Sequence, residues 1–189
     1  MKKKFLLITL MMCILGGINL KTLNAENTVT VVEGTTKTQY APVYDRYDYS
    51  VSQQLYLASD LQLLPKDAVI KSITFFLKYD DVHTRTISVY VKNTSDVTNT
   101  IQSYTSNEMV FSGSITTGDQ LMTIKFNKDF VYTGGGLYIY VNDETGSNYG
   151  SNLYAQFNAI GRSGGILANY GSSKLNESNF TRTYNYLCN

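Results

Sequence analysis

The chain has 189 residues, of which 43% are hydrophobic, and its formal net charge of +1 comes from 16 basic and 15 acidic side chains. Lys2, Lys3, Lys4 and Lys21 precede residue 26, so the remainder carries 12 basic against 15 acidic side chains, a net charge of −3. A mildly acidic chain without a basic run has no general attraction for phosphate backbones or anionic lipids, which excludes nucleic acid as an expected partner.

The first 25 residues have the composition of a secretory signal peptide. Three lysines are followed by an almost unbroken apolar run at residues 5–15, and Leu23-Asn24-Ala25 ends on the small residue that a signal peptidase requires. This run is shorter than the roughly 20 residues that cross a bilayer. We therefore expect residues 1–25 to be cleaved as a signal peptide after Ala25. We expect the mature protein to be exported, to the extracellular space, the cell surface or the periplasm, without inserting into a membrane.

The rest of the chain has the pattern of an all-β protein. It contains 16 tyrosines and only two prolines, and apolar and polar residues alternate in one segment after another. In chain order, strands are predicted at residues 28–32, 49–58, 69–79, 85–93, 109–113, 121–126, 130–132, 137–141, 153–158, 166–170 and 181–187. Turns are predicted between them, at residues 80–81, 93–100, 117–119, 134–136, 142–150 and 161–165. We expect residues 26–189 to form a single antiparallel β-sandwich domain, jelly-roll-like, with about ten strands.

Period-two alternation also predicts which side chains form the core. The inward positions are Ile87, Val89, Val91, Met122, Ile124, Phe126, Leu137, Ile139 and Val141. The segment 69–79 has apolar residues on both faces, so we expect it to be a central strand that is covered on both sides.

Few residues could perform catalysis. Gly161-Arg162-Ser163-Gly164-Gly165 matches the G-x-S-x-G pattern of a hydrolase nucleophile elbow, but the only histidine, His83, precedes the serine and no helix is predicted to follow it. We interpret these residues as a glycine-rich turn. One histidine and one mature cysteine, Cys188, cannot build a zinc site, and we expect that thiol to be idle at the C-terminal edge rather than paired with another chain. A hydrolase that uses two carboxylates is the remaining enzymatic alternative, because 15 acidic residues allow many pairs.

Calcium is the one cofactor that the sequence allows. Asp80, Asp81, Asp143 and Glu144 lie next to polar loops and could supply the oxygen ligands that calcium prefers. Acidic residues at strand ends are more often ordinary turn formers, so a protein without a cofactor is the favoured interpretation.

Tyrosine is the unusual feature of the composition. Tyr90, Tyr138 and Tyr140 all fall on the face opposite the predicted core, and Tyr184 and Tyr186 share one face of the last strand. Exposed aromatic rows can stack on sugar rings or anchor a protein partner. The alternative is that these rings pack against each other or under loops, and the absence of tryptophan favours that alternative. Solvent exposure of the three rings separates the two interpretations.

Several stretches also carry a family resemblance. TQYAPVYDRYDYSVSQQLYLASDL at residues 38–61, AVIKSITFFLKYD at 68–80, the strand at 84–90 and the segment 130–146 together resemble the β-sandwich modules of secreted Bacteroidetes surface proteins. Such modules stand beside fibronectin type III, sorting or cleaved-adhesin domains.

The resemblance implies a noncatalytic surface role in adhesion or in binding a glycan or a host or surface protein, and it provides no catalytic residues to carry over. A structural or assembly module of a surface complex, which spaces or assembles other surface proteins, is the alternative. A carboxylate-dependent glycoside hydrolase is the second alternative.

Overall fold

The computed structural model describes residues 27–79, 82–150 and 154–189. The predicted signal peptide, its cleavage site and the candidate ligands Asp80 and Asp81 lie outside the described residues. No helix in the described part of the chain is both long and apolar enough to cross a bilayer.

The prediction of an all-β antiparallel fold is confirmed. The nine strands are β1 Thr36–Thr38, β2 Tyr49–Tyr56, β3 Val69–Phe76, β4 Thr84–Thr94, β5 Met109–Thr116, β6 Leu121–Val131, β7 Gly136–Asp143, β8 Phe157–Gly171 and β9 Arg182–Cys188. Between residues 27 and 189, the described parts contain one short helical turn, Glu177–Asn179, which Asn176 caps.

Seven strands form the larger sheet, in the order β1-β8-β2-β7-β4-β5 with β9 paired to β8. β8 organises one side of this sheet: at Ala159 it pairs with Thr36 of β1 on one edge and with Cys188 of β9 on the other. Next to it, β2 and β7 are central strands, and every residue of β7 but Asn142 is buried. Strands with two neighbours have all their backbone groups in ladder hydrogen bonds, which makes this region the rigid part of the fold.

The second layer is the antiparallel pair β3–β6. Phe75 of β3 and Met122 and Ile124 of β6 belong to the same buried cluster as the inward residues of β4 and β7. The six predicted core residues of strands β4 and β7 are all buried, and so are Met122 and Ile124 of β6, whereas Phe126 is only half-buried. The alternation therefore predicted correctly which face of the large sheet is the core face.

Several predictions about elements are wrong. Residues 28–32 do not form a strand, and β1 follows them instead. Residues 121–126 and 130–131 belong to the single strand β6, whose pairing with β3 shifts register between Ile70 and Ser72. The predicted strands 153–158 and 166–170 are likewise joined in β8, which begins only at Phe157. Residues 161–165 are not a turn but part of β8; a Cβ on Gly165 would lie 2.1 Å from the carbonyl oxygen of Tyr186, so glycine is needed there for the close approach of β9.

β3 is not the central strand that its apolar content predicted. Among the described residues its strand neighbour is β6 alone, and Val69 and Phe76 are 51% and 37% exposed. Its apolar residues instead line a groove together with the segment 27–32 and residues 61–65. Apolar residues on both faces of a strand thus mark a groove here rather than a second covering layer.

Candidate functional site

The predicted tyrosine row lies on the expected face of the sheet but is not exposed. Tyr138 and Tyr140 alternate with the core residues of β7, and Tyr140 lies in register with Gln53 of β2 and Tyr90 of β4. Tyr138 is 0% and Tyr140 2% exposed, and Tyr90 is half-buried. The prediction of rings open to a ligand is therefore wrong for Tyr138 and Tyr140.

The reason is the segment 95–108 between β4 and β5, which we call the cover segment. Tyr104 of this segment stacks on Tyr140 with ring centroids 4.7 Å apart. The hydroxyl of Tyr138 donates hydrogen bonds of 3.0 Å to the backbone oxygen of Thr98 and to Asp96. The rings of the outer face are thus packed under a loop, which was the alternative left open by the sequence.

Gln53 fixes the cover segment to the sheet. Its side-chain nitrogen donates to Asn99 at 2.7 Å and to the backbone oxygen of Thr100 at 2.8 Å. Its side-chain oxygen accepts from the backbone of Gln102 at 3.1 Å and from the hydroxyl of Tyr104 at 2.9 Å. Burial raises the pKa of Tyr104 and of Tyr140, so both phenols stay neutral at physiological pH.

Asp143, a candidate calcium ligand, is engaged by other groups. It is buried and accepts two hydrogen bonds from Arg85, of 2.8 and 2.6 Å, at one carboxylate oxygen. The other oxygen accepts from the backbone and hydroxyl of Thr145. Burial raises the pKa of Asp143, and Arg85 acts in the opposite direction. Glu144 beside it is exposed, and the described residues contain no group of three potential ligands that could hold a metal ion.

A second buried polar pair joins the loops next to this one. The imidazole Nδ1 of His83 contacts the carboxylate of Asp45, which also accepts from the backbone of Ala155 at 3.0 Å. The imidazole packs at a tilt against the ring of Tyr149, with centroids 4.1 Å apart. The His83–Asp45 contact therefore connects three loops.

Ser163 of the G-x-S-x-G match lies within β8, and no helix directly follows it in the structure. The match therefore has none of the surroundings of a nucleophile elbow.

Cys188 lies on the last strand, β9, and its thiol is free, but it is buried in the core. Its sulfur is 3.1 Å from the backbone oxygen of Ala41. Burial raises the pKa of the thiol, which makes it unreactive.

A group of tyrosines, of which only Tyr184 was in a predicted row, forms the main aromatic feature of the surface. We call it the tyrosine patch, and it consists of Tyr40, Tyr44, Tyr47, Tyr170 and Tyr184. Each member contacts at least one other ring, and the set spans the segment before β2, the end of β8 and the beginning of β9. Tyr44 is buried, Tyr47 is 36% exposed and the other three are half-buried.

The rings of the tyrosine patch are fixed in defined orientations. Tyr40 and Tyr184 stack with centroids 3.7 Å apart, and the hydroxyls of Tyr170 and Tyr184 are 3.2 Å apart. Tyr47 lies against Tyr170 at 4.6 Å. Burial raises the pKa of Tyr184 and of Tyr44.

Two arginines border the tyrosine patch. The guanidinium of Arg182 lies 4.2 Å from the ring centroid of Tyr170, and that of Arg46 lies 5.9 Å from the ring of Tyr154, which itself contacts Tyr44. Both arginines are exposed. The result is a surface of aromatic faces with guanidinium donors at its border, a composition enriched in protein recognition sites.

Only one signal in the sequence could have pointed to this patch. Tyr40, Tyr44, Tyr47 and Tyr49 lie within ten residues, a density that periodicity does not explain. Of the patch, the predicted rows included Tyr184 alone.

No family model, no curated protein and no solved structure matches the chain. The interpretation of the candidate site therefore rests on its geometry. The resemblance to Bacteroidetes surface modules therefore stays a prediction.

Proposed function

We propose that the protein is a noncatalytic exported binding module and that it binds a carbohydrate at the tyrosine patch. The observation that carries the proposal is the contiguous set of ordered tyrosine rings with Tyr47 exposed and Arg182 and Arg46 at the border. The apolar C–H face of a sugar ring packs on an aromatic ring, and its hydroxyls pair with phenols and guanidinium groups.

The patch is suited to binding because its rings need little ordering when a ligand arrives. Tyr170 and Tyr184 are on paired strands, and Tyr44 is held by a hydrogen bond of 2.9 Å from the side chain of Gln39 to its hydroxyl. The backbone nitrogen of Tyr44 also donates a hydrogen bond of 2.9 Å to the hydroxyl oxygen of Ser50. Binding residues that are already fixed lose little conformational entropy, which favours affinity.

Two observations support a noncatalytic role. The buried carboxylates of the described residues, Asp45 and Asp143, are engaged by His83 and Arg85. The same contacts occupy the histidine that acid–base chemistry would use. Carboxylates in such pairs stabilise the fold and have no free proton to donate to a glycosidic oxygen.

A glycan array tests the proposal, with the chain from Glu26 to Asn189 as the sample. The wild type should bind a restricted set of glycans, and Tyr47→Ala should weaken binding by about 10-fold or more, because truncation of a central aromatic contact typically removes at least 1–2 kcal/mol. Tyr79→Ala is the matched control, since Tyr79 is 48% exposed and lies outside the patch. It should bind as the wild type does.

The array also separates the alternatives. Binding that Tyr47→Ala leaves unchanged would remove the tyrosine patch as the site, and the absence of any glycan ligand would favour the structural role. Release of reducing ends from a bound glycan, abolished by a single Asp or Glu substitution, would show a hydrolase instead.

A further inference from the structure

The chain contains four arginines, and the two that border the tyrosine patch differ from the others in their partners. Arg85 and Arg162 each form an ion pair with an aspartate. Arg46 and Arg182 are exposed and form no ion pair with a carboxylate among the described residues. The tyrosine patch therefore has two cationic groups at its border that the protein itself does not neutralise.

Arg182 is held in a defined orientation at the patch. Its guanidinium lies 4.2 Å from the ring centroid of Tyr170, and its Nη1 donates a hydrogen bond to the side-chain oxygen of Asn169. Asn169 is itself held by a hydrogen bond of 2.7 Å from its side-chain nitrogen to the backbone oxygen of Asn179. The Nε and Nη2 groups of Arg182 donate to none of the described residues. A guanidinium that is already oriented loses less side-chain entropy when it binds a ligand.

Arg46 borders the patch at other rings. Its guanidinium lies 5.9 Å from the ring centroid of Tyr154, and that ring contacts Tyr44 with centroids 6.2 Å apart. Interaction with the phenol of Tyr44 raises the pKa of Arg46. The ring of Tyr44 also contacts Tyr170, with centroids 4.6 Å apart. A continuous run of three aromatic rings thus connects the two guanidinium groups.

The carboxylates nearest to Arg46 in the sequence are engaged by other partners. Asp45 is buried and contacts His83. Asp48 accepts a hydrogen bond of 2.6 Å from the side chain of Asn148. The predicted mature chain has a net charge of −3, so the two arginines make the patch a local exception in a mildly acidic protein. Such a local field attracts anions to the patch rather than to the protein in general.

We propose that the ligand of the tyrosine patch is an acidic glycan, whose carboxylate groups pair with Arg46 and Arg182. This inference rests on the proposed carbohydrate binding at the patch and adds the class of sugar. The sugar rings pack on the exposed ring of Tyr47 and its neighbours, and the guanidinium groups donate to the carboxylates of uronic acid residues. Arginine is suited to this role because its planar fork matches the two oxygens of a carboxylate and can donate two parallel hydrogen bonds.

A glycan array with matched pairs tests the class of sugar. Each glycan that contains galacturonic, glucuronic, mannuronic or guluronic acid stands beside its carboxyl methyl ester, which has the same sugar rings without the charge. The chain from Glu26 to Asn189 should bind at least one acidic glycan about 10-fold or more tightly than its ester, because the ester loses a charged and bidentate acceptor.

The other outcomes of the array distinguish this inference from the proposed function. Equal binding of acid and ester, or binding of neutral glycans alone, would overturn the acidic ligand and leave carbohydrate binding in place. Tighter binding of sulfated glycans than of carboxylated ones would overturn the choice of the carboxylate. If no glycan is bound, the proposed function fails, and the acidic ligand fails with it.

Variants of the two arginines test where the carboxylates bind. The double variant Arg46→Gln, Arg182→Gln should bind the acidic glycan about 10-fold or more weakly than the wild type. Arg182→Lys keeps the charge but loses the fork, so its loss should be smaller. Lys125→Gln is the matched control for removal of a positive charge, because Lys125 is exposed on β6 and lies outside the patch. Near-ultraviolet circular dichroism checks that the tyrosine rings keep their packing. A double variant that binds as tightly as Lys125→Gln would overturn the proposal.

Salt dependence is a measurement that loss of ring packing alone would not change. An increase in sodium chloride from about 0.1 M to about 1 M shortens the Debye length from about 10 Å to about 3 Å. Wild-type affinity for the acidic glycan should fall several-fold over this range, whereas the weaker affinity of the double variant should change less. The same salt dependence in both proteins would mean that the carboxylates bind away from Arg46 and Arg182 and would overturn the proposal.

Discussion

The packing of the cover segment on the sheet predicts that truncation of Tyr104 lowers the free energy of unfolding. Tyr104→Phe removes one hydrogen bond to Gln53, whose side-chain oxygen keeps its bond from the backbone of Gln102. We expect this variant to lose about 1 kcal/mol of unfolding free energy. Tyr104→Ala also removes the ring stacked 4.7 Å from Tyr140. Ring stacking contributes about 1 kcal/mol beyond the burial of apolar area, and removal of a fully buried aromatic side chain costs about 3–5 kcal/mol. Because Tyr104 is only half-buried, we expect Tyr104→Ala to lower the free energy of unfolding by about 3 kcal/mol in total.

Equilibrium unfolding in urea measures both values, and Val97→Ala is the control from the same segment. Val97 is 79% exposed, so its truncation should change the free energy of unfolding by less than about 0.5 kcal/mol. A Tyr104→Ala variant as stable as Val97→Ala would refute the conclusion that the cover segment is packed on the outer face. In that case Tyr138 and Tyr140 would return as candidates for ligand binding.

Three further predictions concern the buried charges, the buried phenols and the N-terminus. Asp143→Ala should lower the free energy of unfolding by about 3–5 kcal/mol, because it leaves Arg85 buried without its partner. The double variant Arg85→Met, Asp143→Leu should recover most of that loss in the same urea assay. An Asp143→Ala variant within about 1 kcal/mol of the wild type would contradict the buried pair. Burial raises the pKa of Tyr56 and Tyr140 above the usual value of 10.0. The native state therefore holds protons that the unfolded chain releases, and stability should be complete below pH 10 and fall above it by up to about 1.4 kcal/mol per pH unit for each such tyrosine. Tyrosinate absorbance that rises equally in native and denatured protein would exclude this. Mass spectrometry of protein recovered outside the cytoplasm should find a chain beginning at Glu26, and one beginning at Met1 would disprove cleavage.

The core could be predicted from the sequence because it depends on alternation alone. Ile87, Val89 and Val91 are buried since successive residues of a strand point to opposite faces. The same rule placed Tyr138 and Tyr140 correctly on the other face. It contains no information on what covers that face, and the cover segment is a polar stretch that local patterns identify only as a turn. Burial of the two rings follows from contacts between residues far apart in the sequence, such as Gln53 with Asn99.

The tyrosine patch was missed for a related reason. Tyr40 and Tyr184 come together because β8 pairs with β1 on one side and β9 on the other, a topology that no local pattern encodes. Gly165 shows the converse error. Its glycine neighbours suggested a turn, but the residue is glycine because the backbone of β9 passes close to it. Glycine is suited both to a turn and to the close approach of another backbone, so the sequence alone cannot distinguish these two roles.

The two buried pairs, Arg85–Asp143 and His83–Asp45, connect the larger sheet to the proposed binding surface. Besides binding Asp143, Arg85 donates hydrogen bonds to the backbone oxygens of Tyr47 at 3.1 Å and Ser147 at 2.6 Å. Asp45, next to Tyr44 in sequence, is fixed by His83 and by the backbone of Ala155.

Residues 44–47, which carry Tyr44 and Tyr47 of the tyrosine patch, are therefore attached to Arg85 of β4 and to His83 just before that strand. Removal of either pair should loosen these two rings. Carbohydrate affinity should then fall in the variants of these pairs although their side chains lie outside the tyrosine patch, which is the expected behaviour of groups that position a binding site.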